Sequence, residues 1–214
     1  MGACAVTGRI ILGDPCVAEG AAWLAGRDAR FAHALTLTGP LPLRRYPEGF
    51  ARLLNAIVSQ QVSVASAAAV WGRMEAAGLV TSEAVLALSQ DELRAVGLSR
   101  QKARYAHALA EAGIDYAALR GLPDAEASRL LTAVPGIGVW TAEIYLMFSL
   151  GRADVFASGD LAMQEAARLL FDLPARPTER ELRAMAADWS PWRAVAARLL
   201  WAYYAHAKAR EGVT

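Results

Sequence analysis

The sequence predicts an all-α protein of two helical lobes with a cleft between them. From Pro47 onward, alanine-rich segments follow one another with apolar residues spaced about 3.6 residues apart, as on one face of a helix. Alternating runs of β-branched residues, which are typical of strands, are nearly absent. Helix start and stop signals recur at short intervals. A chain of 214 residues is long enough for one large or two small domains.

Helix boundaries are predicted in chain order from capping residues and breakers. Residues 1–46 are loosely patterned, and Gly39–Pro42 is typical of a turn or linker. Helix starts follow at Pro47-Glu48, at Ser63 for a helix ending near Ala77, at Ser82-Glu83, and at Ser89 with the capping-box residue Glu92. Gly97 stops that last helix, Ser99 opens a basic helix over Arg100–Ala112, and Asp124 caps a helix over Ala125–Ala133.

Composition limits the classes of function. The hydrophobic fraction of 55% is ample for a buried core. The net charge of +1 argues against a protein that coats DNA by bulk electrostatics, but not against one that grips phosphate through backbone N–H groups. Neither a leader nor a membrane span is apparent, so we expect a cytoplasmic protein with no membrane partner.

No metal site is expected. The cysteines, Cys4 and Cys16, are too few for a four-cysteine metal or iron–sulfur centre, and the three histidines are scattered without ligand spacing. A reducing compartment fits this cysteine usage best.

The most informative segment is 130–142, which reads LLTAVPGIGVWTA. It predicts two helices joined by a tight turn in which Gly136 and Gly138 permit close approach of a ligand while Ile137 plugs into the core. The first N–H groups of the second helix lack acceptors within the helix, and the helix dipole favours an anion such as phosphate there. An ordinary helical corner has the same local pattern, so the neighbouring sequence has to decide.

A glycine–aspartate loop follows about twenty residues later, where residues 151–160 read GRADVFASGD and lead into a helix over Leu161–Phe171. Asp160 lies where an N-cap residue would lie, and capping alone would explain it. Together with the hairpin, however, this loop resembles the signature of helix-hairpin-helix DNA glycosylases.

Flanking segments resemble the alkylation-repair branch of that superfamily, the DNA-3-methyladenine glycosylase II family. They are the segment 56–65 (AIVSQQVSVA), the segment 97–103 (GLSRQKA), and Pro191-Trp192-Arg193 with the later Trp201. The resemblance covers about four-fifths of the chain, from Pro47 onward. Larger members carry an N-terminal β-rich domain, for which the 46 residues before Pro47 offer too little material.

The resemblance implies roles for particular residues. Asp160 would be the catalytic carboxylate, Trp140 and Trp201 would line the base pocket, and the turn at Gln60-Gln61 would supply the wedge that fills the vacated stack, with Gln61 inserting. The backbone at Gly136, Ile137 and Gly138 would hold a phosphate. Residues 47–153 would form the lobe with the hairpin, and residues 1–46 with 154–214 the lobe with the catalytic aspartate.

The reaction implied is hydrolysis of the N-glycosidic bond of alkylated purines in double-stranded DNA, of the 3-methyladenine and 7-methylguanine type, by a monomer without a cofactor. Bifunctional members carry a lysine two residues after the second hairpin glycine, whereas this chain has Trp140 there, so we expect no strand cleavage.

Further predictions come from charge and periodicity. Arg100, Lys102 and Arg104 could contact phosphates or simply face solvent. In the last helix Trp192, Val195, Leu199 and Tyr203 form one apolar stripe from which Trp201 departs, so Trp201 needs a second surface unless the whole helix is buried.

Three alternatives stay open at this point: a helix-hairpin-helix module that only binds DNA, an unrelated helical protein with a coincidental turn, and a glycosylase for mismatched or oxidised bases.

Overall fold

The computed structural model describes residues 8–211 and confirms the all-α class. These residues form helices and short connections, with no strand and only an isolated bridge between Ile10 and Arg152. Cys4 lies outside the described residues, and Cys16 is a free thiol. No helix in the range 8–211 is both long and apolar enough to span a membrane.

The described chain divides into two compact units. The first unit contains residues 46–145 and the second contains residues 8–45 with 146–211. The helices of the first unit are α3 (Phe50–Ser59), α4 (Val64–Ala76), α5 (Ser82–Leu86), α6 (Gln90–Ala95), α7 (Arg100–Glu111), α8 (Tyr116–Leu119), α9 (Asp124–Thr132) and most of α10 (Val139–Phe148).

Local capping explains most starts in the first unit. The side chains of Ser63, Ser89 and Ser99 each accept a hydrogen bond from the N–H three residues on, which satisfies one donor that the helix leaves open. The capping box of Ser89 is present as predicted. Thr81, one residue before the predicted start at Ser82, caps α5 in the same way.

Two predicted starts in the first unit are wrong by a few residues. Asp124 is the first residue of α9, and the N-cap of that helix is Pro123. The helix expected to open at Pro47-Glu48 begins at Phe50 instead. Gly49 takes a φ of +103° and donates its N–H to the Tyr145 hydroxyl at 2.8 Å, which sets the entry angle of α3.

The core of the first unit is built around α3. Its buried face consists of Phe50, Leu53, Leu54, Ile57 and Val58, a spacing typical of an amphipathic helix. This face packs on α4 and α7. Side chains on the opposite face of α3 are therefore the ones available to contact a ligand.

The second unit consists of α1 (Asp14–Arg27), α2 (Ala29–Thr38), α11 (Leu161–Leu170), α12 (Glu179–Met185), a 3₁₀ turn (Ala186–Trp189) and α13 (Arg193–Glu211), together with the last residues of α10. The loose pattern expected for residues 1–46 is wrong over 14–38, where α1 and α2 form. These helices pack against α13, and burial of Val17, Leu24 and Phe31 stabilises them despite a weak sequence pattern.

The lobe boundary predicted at Ala153 also differs from the structure, in which the first unit ends at Tyr145 within α10. Residues 146–153 are bonded to the N-terminal segment of the second unit. Ile11 donates its N–H to the Gly151 carbonyl at 2.7 Å, and Ala153 donates to the Arg9 carbonyl at 2.9 Å. These long-range bonds place the end of α10 and the following loop in the second unit.

Candidate active site

The predicted hairpin is present between α9 and α10. Ile137 donates its N–H to the Val134 carbonyl at 3.0 Å, and its side chain is buried as predicted. Gly136 has a φ of +94°, and a Cβ there would lie 2.4 Å from the Tyr105 ring. A Cβ on Gly138 would meet nothing within 4 Å. Gly136 is thus required by the fold itself, whereas Gly138 is the glycine that leaves space at the start of α10.

The turn after α3 is attached to this hairpin. The Gln60 amide donates to the Gly136 carbonyl at 2.8 Å and is partly buried. Gln61 is exposed, with a φ of +56° that is unusual for a residue with a side chain. Gln60 therefore holds the hairpin, and of the two glutamines only Gln61 projects from the turn.

The basic residues of α7 differ in their surroundings. The Lys102 ammonium donates to the Val58 carbonyl at 2.7 Å at the end of α3, and burial lowers its pKa. Arg100 is exposed, and Arg104 lies beside the Tyr105 ring. Lys102 thus joins α7 to α3, and Arg100 is better placed than Lys102 to contact a phosphate.

Trp140, on the first turn of α10, borders a cavity of about 530 Å³ within the first unit and is 47% exposed. The opposite wall comes from α3 and from Tyr46. The rest of the lining is mostly apolar, and Gln60 also reaches it. This cavity is large enough to enclose a planar heterocycle beside the indole.

Asp160 is the N-cap of α11, as the sequence predicted. Its Oδ1 accepts two hydrogen bonds, one from the Met163 N–H at 3.0 Å and one from the Trp201 indole Nε1–H at 3.1 Å. The backbone N–H of Asp160 donates to the Ala157 carbonyl at 3.0 Å. The carboxylate is therefore fixed in orientation and lies at the positive end of a helix.

Trp201 departs from the apolar stripe of α13, and the second surface it needs is supplied by Asp160 and Phe148. Its ring lies 5.7 Å from that of Phe148, centroid to centroid, at an interplanar angle of 35°. Residues 194–200 of α13 are buried on all sides, but residues 201–204 are only half-buried, so the helix is not buried along its whole length. Trp201 itself is only half-buried.

Arg198 and Phe148 support the site and were missed by the sequence analysis. The buried Arg198 guanidinium lies 4.7 Å from the centre of the Phe148 ring and donates to the carbonyls of Leu43 and Ala194. Desolvation lowers the pKa of Arg198 to about 10. An arginine within the apolar stretch 194–204 was the available signal, because a buried charge needs partners.

The predicted site residues fall into two groups. Asp160 and Trp201 touch each other in the second unit, whereas Trp140, Gln60, Gln61, Arg100, Lys102 and the hairpin glycines belong to the first unit. Among the described residues, no cluster of His, Cys, Asp or Glu is arranged to hold a metal ion.

Comparison with known protein families identifies the family of this chain. Residues 54–191 match the model of the HhH-GPD superfamily base excision DNA repair proteins, a span that contains both the hairpin and Asp160. This chain belongs to the HhH-GPD superfamily. Trp201 lies beyond the matched span, so its pairing with Asp160 is known from the structure and not from that match.

Relatives within the HhH-GPD superfamily support the alkylation-repair branch. The chain is 30% identical to DNA-3-methyladenine glycosylase 1 of Schizosaccharomyces pombe over 190 residues, which is 83% of each chain. A DNA-3-methyladenine glycosidase from Bacillus halodurans has a similar structure, with a TM-score of 0.78 and 32% identity over 87% of this chain and 88% of that one.

A third comparison concerns a structure solved with DNA. The Schizosaccharomyces pombe 3-methyladenine DNA glycosylase in complex with abasic DNA matches with a TM-score of 0.73 and 30% identity, over 86% of this chain and 95% of that one.

Proposed function

We propose that this protein is a monofunctional DNA glycosylase that hydrolyses the N-glycosidic bond of alkylated purines in double-stranded DNA and leaves an abasic site. The observation that carries the proposal is the Asp160 carboxylate, held at the start of α11 by the N–H groups of Met163 and Trp201. A chain that only binds DNA has no need of a carboxylate fixed in this way.

Asp160 is proposed to act on the sugar. An N-alkylated purine is already cationic, so it leaves with little acid assistance, and positive charge develops on the deoxyribose as the bond breaks. A carboxylate that hydrogen bonds already hold in place stabilises that charge without having to reorient during the reaction. Water then completes the hydrolysis, and Asp160 is suited to orient it.

The first unit is proposed to bind the DNA and receive the base. The N–H groups at Gly138 and the start of α10 suit a phosphate, and Gln61 is the residue available to fill the stack when a nucleotide is extruded. The Trp140 cavity would take the flipped base, since an indole face attracts a cationic purine by stacking and cation–π interaction. Trp201, which belongs to the second unit, would orient Asp160, and its role in the base pocket stays a prediction.

The decisive experiment is Asp160→Asn. The amide oxygen can still accept the Met163 N–H, so folding and DNA affinity should persist, while base release from alkylated DNA falls by roughly 100-fold or more. The matched control is Asp115→Asn, because Asp115 caps α8 through the Ala118 N–H in the same way. Release would be followed by chromatography of the free bases, and near-normal release by Asp160→Asn would contradict the catalytic role.

The same assay separates the alternatives. Release of oxidised or mismatched bases with no release of alkylated purines would change the substrate class, and tight binding of abasic duplex without any release would indicate a DNA-binding module. We further propose a cytoplasmic monomer; light scattering of the free protein and of its DNA complex tests the oligomeric state.

A further inference from the structure

The Trp140 cavity has one polar wall, and that wall is a stripe on α3. Arg52, Asn55 and Ser59 lie at positions i, i+3 and i+7 of the helix, on the face opposite the buried core residues, and all three border the cavity. The Ser59 hydroxyl is engaged, since it donates to the Asn55 carbonyl at 2.8 Å. Arg52 is the strongest donor left on this wall.

Arg52 is held but not neutralised. Its guanidinium carbon lies 3.9 Å from the centre of the Tyr46 ring, so one face of the planar group is covered by the aromatic ring. Burial lowers its pKa, and within residues 8–211 no carboxylate or carbonyl accepts a hydrogen bond from it. A guanidinium stays protonated in proteins and carries five N–H donors in a planar fork. The edge of this group is therefore available to a ligand in the cavity.

A purine base in this cavity would present the atoms of its edge to the N–H donors of Arg52. Arginine is the common reader of the O6 atom of guanine, which accepts hydrogen bonds, whereas the exocyclic amine of adenine at the same position is a donor. We infer that Arg52 is a specificity-determining residue that favours alkylated 6-oxopurines such as 7-methylguanine over 6-aminopurines such as 3-methyladenine. This inference rests on the proposed function.

Charge repulsion does not produce the preference. Both alkylated nucleosides are cations, so the positive charge of Arg52 opposes the two to a similar extent. The difference lies at position 6, where one base supplies an acceptor and the other a second donor. A charge-assisted hydrogen bond present for one substrate only corresponds to a selectivity of about tenfold or more.

The test measures the ratio of two products from one substrate. Duplex DNA methylated with dimethyl sulfate contains both lesions, and the initial rates of release of 7-methylguanine and 3-methyladenine are measured together. Arg52→Met removes the donors but keeps an unbranched side chain to cover Tyr46. We expect the rate ratio of 7-methylguanine to 3-methyladenine to fall about tenfold. DNA affinity, nucleotide extrusion and the folded fraction cancel in this ratio.

Two further variants secure the interpretation. Arg180→Met removes one exposed positive charge from α12 of the second unit and should leave the ratio unchanged. Arg52→Lys keeps the charge but loses the planar fork, so it should give an intermediate ratio, and it replaces Arg52→Met if that variant fails to fold.

The outcomes separate this inference from the proposed function. A ratio that changes less than about twofold in both Arg52 variants overturns the role of Arg52 while leaving glycosylase activity intact. A wild-type protein that releases neither base overturns the proposed function, and the inference with it. A rise in the ratio would mean that Arg52 selects the 6-amino base, which contradicts the inference directly.

Discussion

Asp160 and Trp201 share one hydrogen bond whose value for the reaction can be measured. The Trp201 indole donates to Oδ1 of Asp160, the atom that also caps α11. Trp201→Phe removes the donor but keeps an aromatic ring beside Phe148. We expect base release to fall about tenfold, because the carboxylate loses the fixed indole donor and samples other orientations.

The control for this change is Trp23→Phe, since Trp23 lies on α1 of the same unit and its ring is covered by the Arg27 guanidinium. Both variants should unfold at temperatures close to that of the wild type, as measured by circular dichroism. Full activity in Trp201→Phe would show that the indole N–H is not needed to orient the carboxylate.

The two hairpin glycines, Gly136 and Gly138, have different roles, so a pair of alanine substitutions can separate the effect on folding from the effect on DNA binding. Gly136→Ala places a Cβ 2.4 Å from the Tyr105 ring at a positive φ, and should destabilise the fold by about 2 kcal/mol or more. Gly138→Ala meets open space and should change stability by less than about 0.5 kcal/mol. We expect it to weaken duplex binding several-fold, because the methyl group obstructs the approach of a phosphate.

Denaturant unfolding and fluorescence anisotropy with abasic duplex measure the two effects separately. Unchanged DNA affinity in a folded Gly138→Ala protein would exclude the start of α10 as a phosphate site. The stability loss expected for Gly136→Ala stands regardless of that result, since it depends only on Tyr105 and the backbone.

The turn after α3 allows a test of the wedge. Gln61→Gly removes the side chain, and glycine accepts the φ of +56° without the Cβ strain that glutamine has and alanine would keep. Release from duplex DNA should fall, while release from single-stranded DNA should be spared because no stack has to be refilled. Equal losses on both substrates would argue against a wedge at this position.

The chain as a whole contains two lysines, Lys102 and Lys208, so few side-chain amines are available to attack the sugar after the base has left. The Lys102 ammonium is bonded to the Val58 carbonyl, and Lys208 lies near the Tyr204 ring. Neither lies on α10, where the resemblance predicts the lysine of a bifunctional enzyme and where this chain has Trp140. We therefore expect intact abasic strands, with breaks only after alkali or an added endonuclease.

Borohydride trapping with lesion-containing duplex measures this directly. Little covalent protein–DNA adduct should form in the wild type. An adduct at the yield of normal turnover would contradict the monofunctional assignment, and its loss in Lys102→Ala or Lys208→Ala would identify the amine responsible.

Features that depend on neighbours in the chain could be predicted from the sequence alone. The caps at Ser63, Ser89, Ser99 and Asp160 are local, because each side chain bonds an N–H three residues away, and they require no knowledge of packing. Burial of Ile137 follows in the same way from the tight Pro-Gly-Ile-Gly turn. The family follows from motifs that are equally local.

Features that depend on residues distant in the chain emerge only from the tertiary structure. The helices α1 and α2 carry weak patterns and are stabilised by packing on α13, far along the sequence. The requirement for glycine at 136 comes from Tyr105 on another helix, and the orientation of Asp160 depends on Trp201, which lies 41 residues away. Nothing in the sequence distinguishes Arg52, because a helical arginine is ordinarily solvated. The role inferred for Arg52 depends on the Tyr46 ring and the Trp140 cavity. Long-range packing brings both beside Arg52, and no local pattern encodes that packing.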